Sequence, residues 1–228
     1  LREIDAGAAA AILGYAPKSK GELLSGRVLV APVKVGDAFS TLELIDGDGR
    51  KSAVYGGAKA GGYWAAQPLP QGNGDGLILL IGEGVATVLS AKESSGHPAI
   101  AALSAGNLPA VAKAMRERYP VAALVILADL VKATGEPDPH AIEAARSVGG
   151  RLAVPDFGAD RPEGATDFND LANKRGADAV QGLEREQRHQ HGGRGGDEQH
   201  DVSFRGRRAC RRRCRTWRRT RRGPAGAW

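Results

Sequence analysis

From residue 77 onward the chain carries four short runs that are apolar throughout or nearly so: L-I-L-L-I (77–81), P-A-I-A-A-L (98–103), A-A-L-V-I-L-A (122–128) and R-L-A-V-P (151–155). A strand that is apolar on both faces has to be covered on both faces. The intervals supply the cover, because V-A-T-V-L-S-A-K-E, N-L-P-A-V-A-K-A-M-R-E-R-Y and H-A-I-E-A-A-R-S-V have helical spacing. This alternation predicts an α/β fold with a mostly parallel sheet and helices on both faces. Right-handed crossovers put the C-terminal ends of all its strands on one edge, and ligands of open α/β sheets bind outside that edge.

The residues before this region read differently. G-R-V-L-V-A-P-V-K-V is strand-like, and S-T-L-E-L-I-D alternates with period two before the turn signal D-G-D-G. K-S-A-V-Y and G-Y-W-A-A continue the pattern, so residues 1–67 are expected to be a small β-rich module. P-L-P-Q-G-N-G-D-G (68–76) reads as a linker, residues 77–182 as the α/β domain, and residues 183–228 as a tail.

The net charge of +6 belongs to that tail. Residues 1–180 hold 18 Lys+Arg against 21 Asp+Glu, a net of −3, whereas residues 181–228 hold 14 against 5, a net of +9. The basic excess is therefore no evidence that the folded part binds nucleic acid. The tail has 11 Arg between residues 205 and 222, no Lys, and both cysteines, Cys210 and Cys214. Arg-only runs interspersed with Gly, Ala, Cys, His and Trp resemble a GC-rich gene read out of frame. A nucleic-acid-binding tail and a Cys210/Cys214 metal site are the other readings. With no cysteine in the first 200 residues, the globular part has no disulfide framework or zinc site, and a cytoplasmic location is expected. No run approaches the roughly 18 apolar residues of a membrane helix. The opening L-R-E-I-D has no signal-peptide pattern and no initiator Met, so a piece of a longer chain is expected.

The residues just after each apolar run decide the chemistry of the edge. They are Glu83 between two glycines, Ser104 to Asn107, Asp129, and Pro155-Asp156. Carboxylates and an amide without His or Cys suit Mg²⁺ or Mn²⁺ rather than zinc. Glu83 reads equally as a first-turn acid favoured by the helix dipole, and its G-x-G lacks the third glycine of a dinucleotide fingerprint. Asn107 fits a helix N-cap with Pro109 in the first turn, the other reading being a contact to nucleotide or nucleic acid. Asp156 either ends a strand or touches the ligand. Further on, T-D-F-N-D-L brings Asp167, Asn169 and Asp170 to the start of a last helix, with Thr166 or Asp167 as its cap. His97 and His140, beside prolines, read as solvated loop residues.

As a set, in order and spacing, these segments resemble the toprim domain of primases encoded on plasmids, phages and integrative elements. They are T-L-E-L-I-D-G-D-G-R-K, Y-G-G-A-K-A-G-G-Y-W, I-G-E-G-V-A-T, S-A-G-N-L, V-I-L-A-D, V-P-D-F-G and T-D-F-N-D-L, over roughly residues 25–180. The resemblance implies a toprim-like (Rossmann-like) α/β unit that holds Mg²⁺, or Mn²⁺, with acidic side chains for phosphoryl transfer. It implies an acid–base or metal role for Glu83 and a metal role for Asp129, the first acid of a D-x-D. Val131 stands at the second acid and cannot ligate a cation. Asp167 or Asp170 would assist.

By the same resemblance the chain is expected to be a primase core, a nucleotidyltransferase making RNA primers from ribonucleotides on a single-stranded DNA template during replication of a mobile element. The resemblance also implies a replicative helicase as a partner. Lys59 and Arg50, in the β-rich module, would then face template or nucleotide phosphates, the other reading being solvated loop charges. Two further readings stay open. One is a catalytically impaired remnant that only binds nucleotide or nucleic acid, suggested by Val131, the tail, and the lack of the zinc-binding and helicase modules of such primases. The other is a toprim nuclease or topoisomerase, although Tyr15, Tyr55, Tyr63 and Tyr119 lie in no context that marks a nucleophile.

Overall fold

The computed structural model describes residues 1–159 and 161–176. The Arg-rich tail, with Cys210 and Cys214, and the end of the α/β domain at 182 lie outside the described residues. No helix among the described residues is long and apolar enough to cross a membrane.

The N-terminal part is built on a four-stranded antiparallel sheet. Strand β1 (Arg2–Asp5) leads into helix α1 (Ala6–Leu13), which Asp5 caps by accepting from the N–H groups of Gly7 and Ala8 at 2.8 and 3.1 Å. A small hairpin of β2 (Lys18–Ser19) and β3 (Glu22–Leu23) precedes β4 (Arg27–Val35), β5 (Ala38–Asp46) and β6 (Lys51–Ala53). The sheet order is β1-β4-β5-β6, so β6 is an edge strand. The D-G-D-G signal is the β5–β6 turn. There Asp46 Oδ1 accepts from the backbone N–H groups of Asp48 and Arg50, and Gly49 takes the left-handed φ of 76°.

The second sheet has the order β11-β10-β8-β9-β7. Strands β8 (Ile78–Gly82), β9 (Ala99–Ala101), β10 (Ala123–Leu127) and β11 (Arg151–Ala153) are parallel, and β7 (Trp64–Ala65) adds antiparallel to β9. The fold is thus α/β with a mostly parallel sheet, as the apolar runs predict. Its helices are α2 (Val85–Ser95), α3 (Leu108–Arg118), α4 (Pro139–Ser147) and α5 (Phe168–Arg175), with a 3₁₀ turn (Ala105–Asn107) ahead of α3.

Strand geometry sends successive side chains to opposite faces, and the core divides accordingly. Leu79, Ile81, Leu124 and Ile126 pack with Val111 and Met115 of α3 and Ala141 and Ala144 of α4. Leu80, Val125 and Leu127 pack on the other face with Val88 of α2, Phe168 and Leu171 of α5, and Ala31, Val33 and Ile45 of the antiparallel sheet. The N-terminal strands therefore share a core with the parallel sheet. A backbone pair ties the two sheets as well: Lys34 and Tyr63 exchange N–H···O bonds of 2.9 and 2.8 Å. Residues 68–76 are stitched to the end of α3, where the Tyr119 hydroxyl donates to the Pro70 carbonyl at 2.7 Å.

Candidate functional site

The chemistry-bearing residues gather at the C-terminal edge of the parallel sheet. Beyond β9 the ladder continues, with Ala102 N–H donating to Gly82 C=O and Leu103 N–H to Glu83 C=O, both at 2.8 Å. Leu103 then takes a φ of 69°, a left-handed conformation that is costly for a branched residue. Buried packing of Leu103 holds it there. Gly82 is needed at the end of β8 because a Cβ would meet Val88 Cγ1 of α2 at 2.9 Å. Gly84 caps α2 with extended backbone and no side-chain hydrogen bond. Glu83, between the two glycines, is held at the start of α2 with its side chain 29% exposed.

Asp129 follows β10, and three contacts fix it. Its carbonyl accepts from Asp138 N–H at 2.8 Å, Leu130 N–H donates to Thr166 C=O at 2.8 Å, and Leu130 bridges Pro137. The loop from Val131 to Glu136 closes on itself, with Val131 N–H donating to Glu136 C=O and Gly135 N–H to Val131 C=O. Asp129 Oδ1 is buried and has no hydrogen-bond partner. Burial, and then the charges of Glu83 and Asp167, push the carboxyl up from 3.8 to about 7, with Lys51 opposing.

Asp167 and Asp170 come together as the sequence predicts, in a reciprocal capping box on α5. Asp170 N–H donates to Asp167 Oδ1 at 2.8 Å, and Asp170 Oδ2 accepts from Thr166 N–H at 2.7 Å and Asp167 N–H at 3.4 Å. Asp167 Oδ2 also accepts from the fully buried Thr87 hydroxyl at 2.8 Å. Both acids are thus engaged in the cap of α5, and Asp167 also lies close enough to raise the Asp129 carboxyl together with Glu83. Asp156 accepts from Gly158 N–H in a local turn. His140 lies against Asp138, the N-cap of α4.

The remaining candidates have protein partners. Arg50 braces the β5–β6 turn through Asp46 (2.7 Å), Asp48 (3.0 Å) and the Ser25 hydroxyl (2.9 Å). Lys59 donates to the buried carboxylate of Glu43 at 2.9 Å and to Leu103 C=O at 3.1 Å. Asn107 occupies the cap position of α3 but makes no side-chain cap bond. Its amide turns to the glycine-rich loop instead, accepting from Gly61 N–H at 2.7 Å and donating to the carbonyls of Gly62 and Ala102 at 2.8 Å. A cation that does reach the acidic edge is Lys51, whose Nζ lies 4.0 Å from the Glu83 carboxylate. The sequence gives no means to choose it over Arg50 or Lys59, because pairing of an edge strand decides which of them faces the parallel sheet.

Among the described residues no three His, Cys, Asp or Glu side chains form a ready-made metal cage. The unpartnered oxygen of Asp129 and the nearby Glu83 carboxylate nevertheless fit a hard divalent cation that keeps most of its coordination for water or phosphate oxygens.

Comparison with known proteins matches residues 78–178 to the family described as Toprim domain. Two Escherichia coli proteins named DNA primase TraC are each 35% identical over 127 residues, covering 51% of this chain. The chain spans only 12% and 8% of those relatives' lengths. Among solved structures, the primase fragment of the bacteriophage T7 primase-helicase protein aligns with a TM-score of 0.49 and 16% identity, over 76% of this chain and 67% of that one. Primase domains in a bacteriophage T7 lagging-strand polymerase complex with an RNA/DNA hybrid align with a TM-score of 0.45 and 16% identity, over 67% of this chain and 73% of that one.

Proposed function

Residues 78–178 of this chain are a toprim domain, and on that premise we propose that the chain is the nucleotidyl-transfer core of a DNA primase. Its substrates are ribonucleotides and its template is single-stranded DNA, with a replicative helicase of a mobile element as a further partner. The observation that carries the reading is the pair Glu83 and Asp129 at the strand-end edge, one carboxylate half-exposed and the other buried with an unpartnered oxygen. The sequence similarity to proteins named DNA primase supports the same choice.

Toprim domains bind divalent metal ions, and a bound Mg²⁺ or Mn²⁺ neutralises phosphate charge and aligns attacking and leaving oxygens. In this chain Glu83 and Asp129 would hold that ion. Asp129 would hold it as the carboxylate, giving up its proton on binding. Asp167 and Asp170 act one step back, by fixing α5 against α2. Asn107 and Lys59 hold the glycine-rich loop 56–62 against the same edge, so that backbone rather than flexible side chains forms the wall beside Leu103.

The test is primer synthesis on single-stranded DNA with four ribonucleotides and Mg²⁺ or Mn²⁺. Metal-dependent RNA products of defined short length support the reading. A second reading, a remnant that binds nucleotide without transfer, is favoured by Val131 and by the commitment of Asp167 and Asp170 to capping. Nucleotide binding with no products under either metal selects it.

A further inference from the structure

Of the three cations between β5 and β7, two are spent on structure. Arg50 is locked to the Asp46 turn and Lys59 to Glu43 and Leu103. Lys51 is different. It lies on the edge strand β6 opposite Ile45, and Ile45 is buried in the core shared with Leu80 and Val85. That packing fixes where the lysine stem starts relative to Glu83. Its ammonium reaches across to the acidic edge, where a Cβ placed on Gly84 would lie 3.9 Å from Nζ. The side chain is 32% exposed, and its separation of 4.0 Å from Glu83 is too long for a direct hydrogen bond.

An ammonium in that position is drawn there by the negative charges of Glu83 and Asp129. The first turn of α2 presents unpaired N–H groups, and helix dipoles repel cations at that end. A divalent cation arriving at Glu83 and Asp129 would repel it too, and would use the carboxylate charge that keeps it there. A nucleotide brings several phosphate charges, which give both cations partners at once.

We infer that Lys51 is the built-in counter-ion of the Glu83–Asp129 edge, that it competes with a divalent cation there, and that it transfers to a phosphate oxygen when metal and nucleoside triphosphate bind together. Metal loading is then coupled to nucleotide: the edge alone binds the ion weakly, and the triphosphate relieves the competition. The inference rests on the reading of the edge as a metal and nucleotide site.

The experiment is a Mn²⁺ titration of the full chain by electron paramagnetic resonance, with and without a non-hydrolysable ribonucleoside triphosphate, the free Mn²⁺–nucleotide complex being measured separately. Wild type, Lys51→Met and Lys51→Arg are compared, with circular dichroism verifying the fold. Removing one charge at this range should tighten Mn²⁺ alone by roughly 3- to 10-fold and remove most of the enhancement by nucleotide. Lys51→Arg, which keeps the charge, should behave as wild type. Unchanged or weaker Mn²⁺ binding in Lys51→Met, or undiminished coupling to nucleotide, overturns the inference and leaves the primase reading standing. No Mn²⁺ binding by wild type even with nucleotide overturns both.

Discussion

The hydroxyl of Thr87 donates to Oδ2 of Asp167 across 2.8 Å, joining the first turn of α2 to the cap of α5 over 80 residues of sequence. Glu83 and the Asp167 cap are therefore positioned by one contact, reinforced by Ser90 donating to Asn169 at 3.1 Å. Thr87→Val keeps the shape and leaves a partly buried carboxylate oxygen without its donor, which should cost about 1–2 kcal/mol. Urea denaturation of the variant measures this, and an unchanged midpoint would show that the contact adds nothing to stability.

Asn107→Ala removes the amide that ties the glycine-rich loop to the parallel sheet. Its loss strands Gly61 N–H and Gly62 C=O, and a cost of about 2–4 kcal/mol is expected from several buried groups left unpaired. Hydrogen exchange should speed up across residues 56–62 more than in β8 or β10. Uniform loss of protection would mean that Asn107 supports the whole fold rather than the loop.

Asp129 makes stability depend on pH in a direction that can be worked out. Its carboxyl titrates near 3.8 when unfolded and about 7 when folded, through burial and then the charges of Glu83 and Asp167. Folding thus favours the protonated form, whose contribution is fully present below the unfolded value and is lost as pH rises through the folded one. Relative to Asp129→Asn, the native chain should lose stability between about pH 4 and 7, by on the order of 4 kcal/mol above that window at ~1.4 kcal/mol per pH unit. Thermal melts without divalent cations check it. Parallel pH profiles for the two chains would contradict it.

The four parallel strands were legible because runs such as L-I-L-L-I leave an α/β sheet few alternatives, and the strand-end rule then named Glu83, Asn107, Asp129 and Asp156 as candidates at the edge. Helix α1 was not read. A-G-A-A-A-A-I-L carries no amphipathic stripe, and only the Asp5 cap and the left-handed Gly14 mark its ends. That β7 joins the parallel sheet was equally hidden, since a two-residue strand is defined by its partner. Asn107 has the right residue type at a cap position, yet its amide turns to a loop more than 40 residues earlier. The capping role of Asp167 was visible in T-D-F-N-D-L because a capping box is local. Lys51 and Thr87 act across elements, and sequence spacing carries no sign of it.

Val131→Asp places a carboxylate two residues after Asp129, in the loop that closes on Glu136. A third hard ligand near the edge should tighten Mn²⁺ by roughly 10-fold. It should also raise the Asp129 carboxyl further through like-charge repulsion. A calorimetric titration measures the first effect. Unchanged affinity would place the Val131 side chain away from the ion.

The most direct test of the account is the metal-dependent addition of one labelled ribonucleotide to an RNA primer annealed on single-stranded DNA, comparing wild type with Glu83→Gln. Templated addition by the native chain is expected, with a loss of at least about 100-fold in Glu83→Gln and the fold unchanged, as for removal of a group at the reacting centre. Equal addition by the two chains would contradict it, because the reaction would then not pass through the Glu83–Asp129 edge.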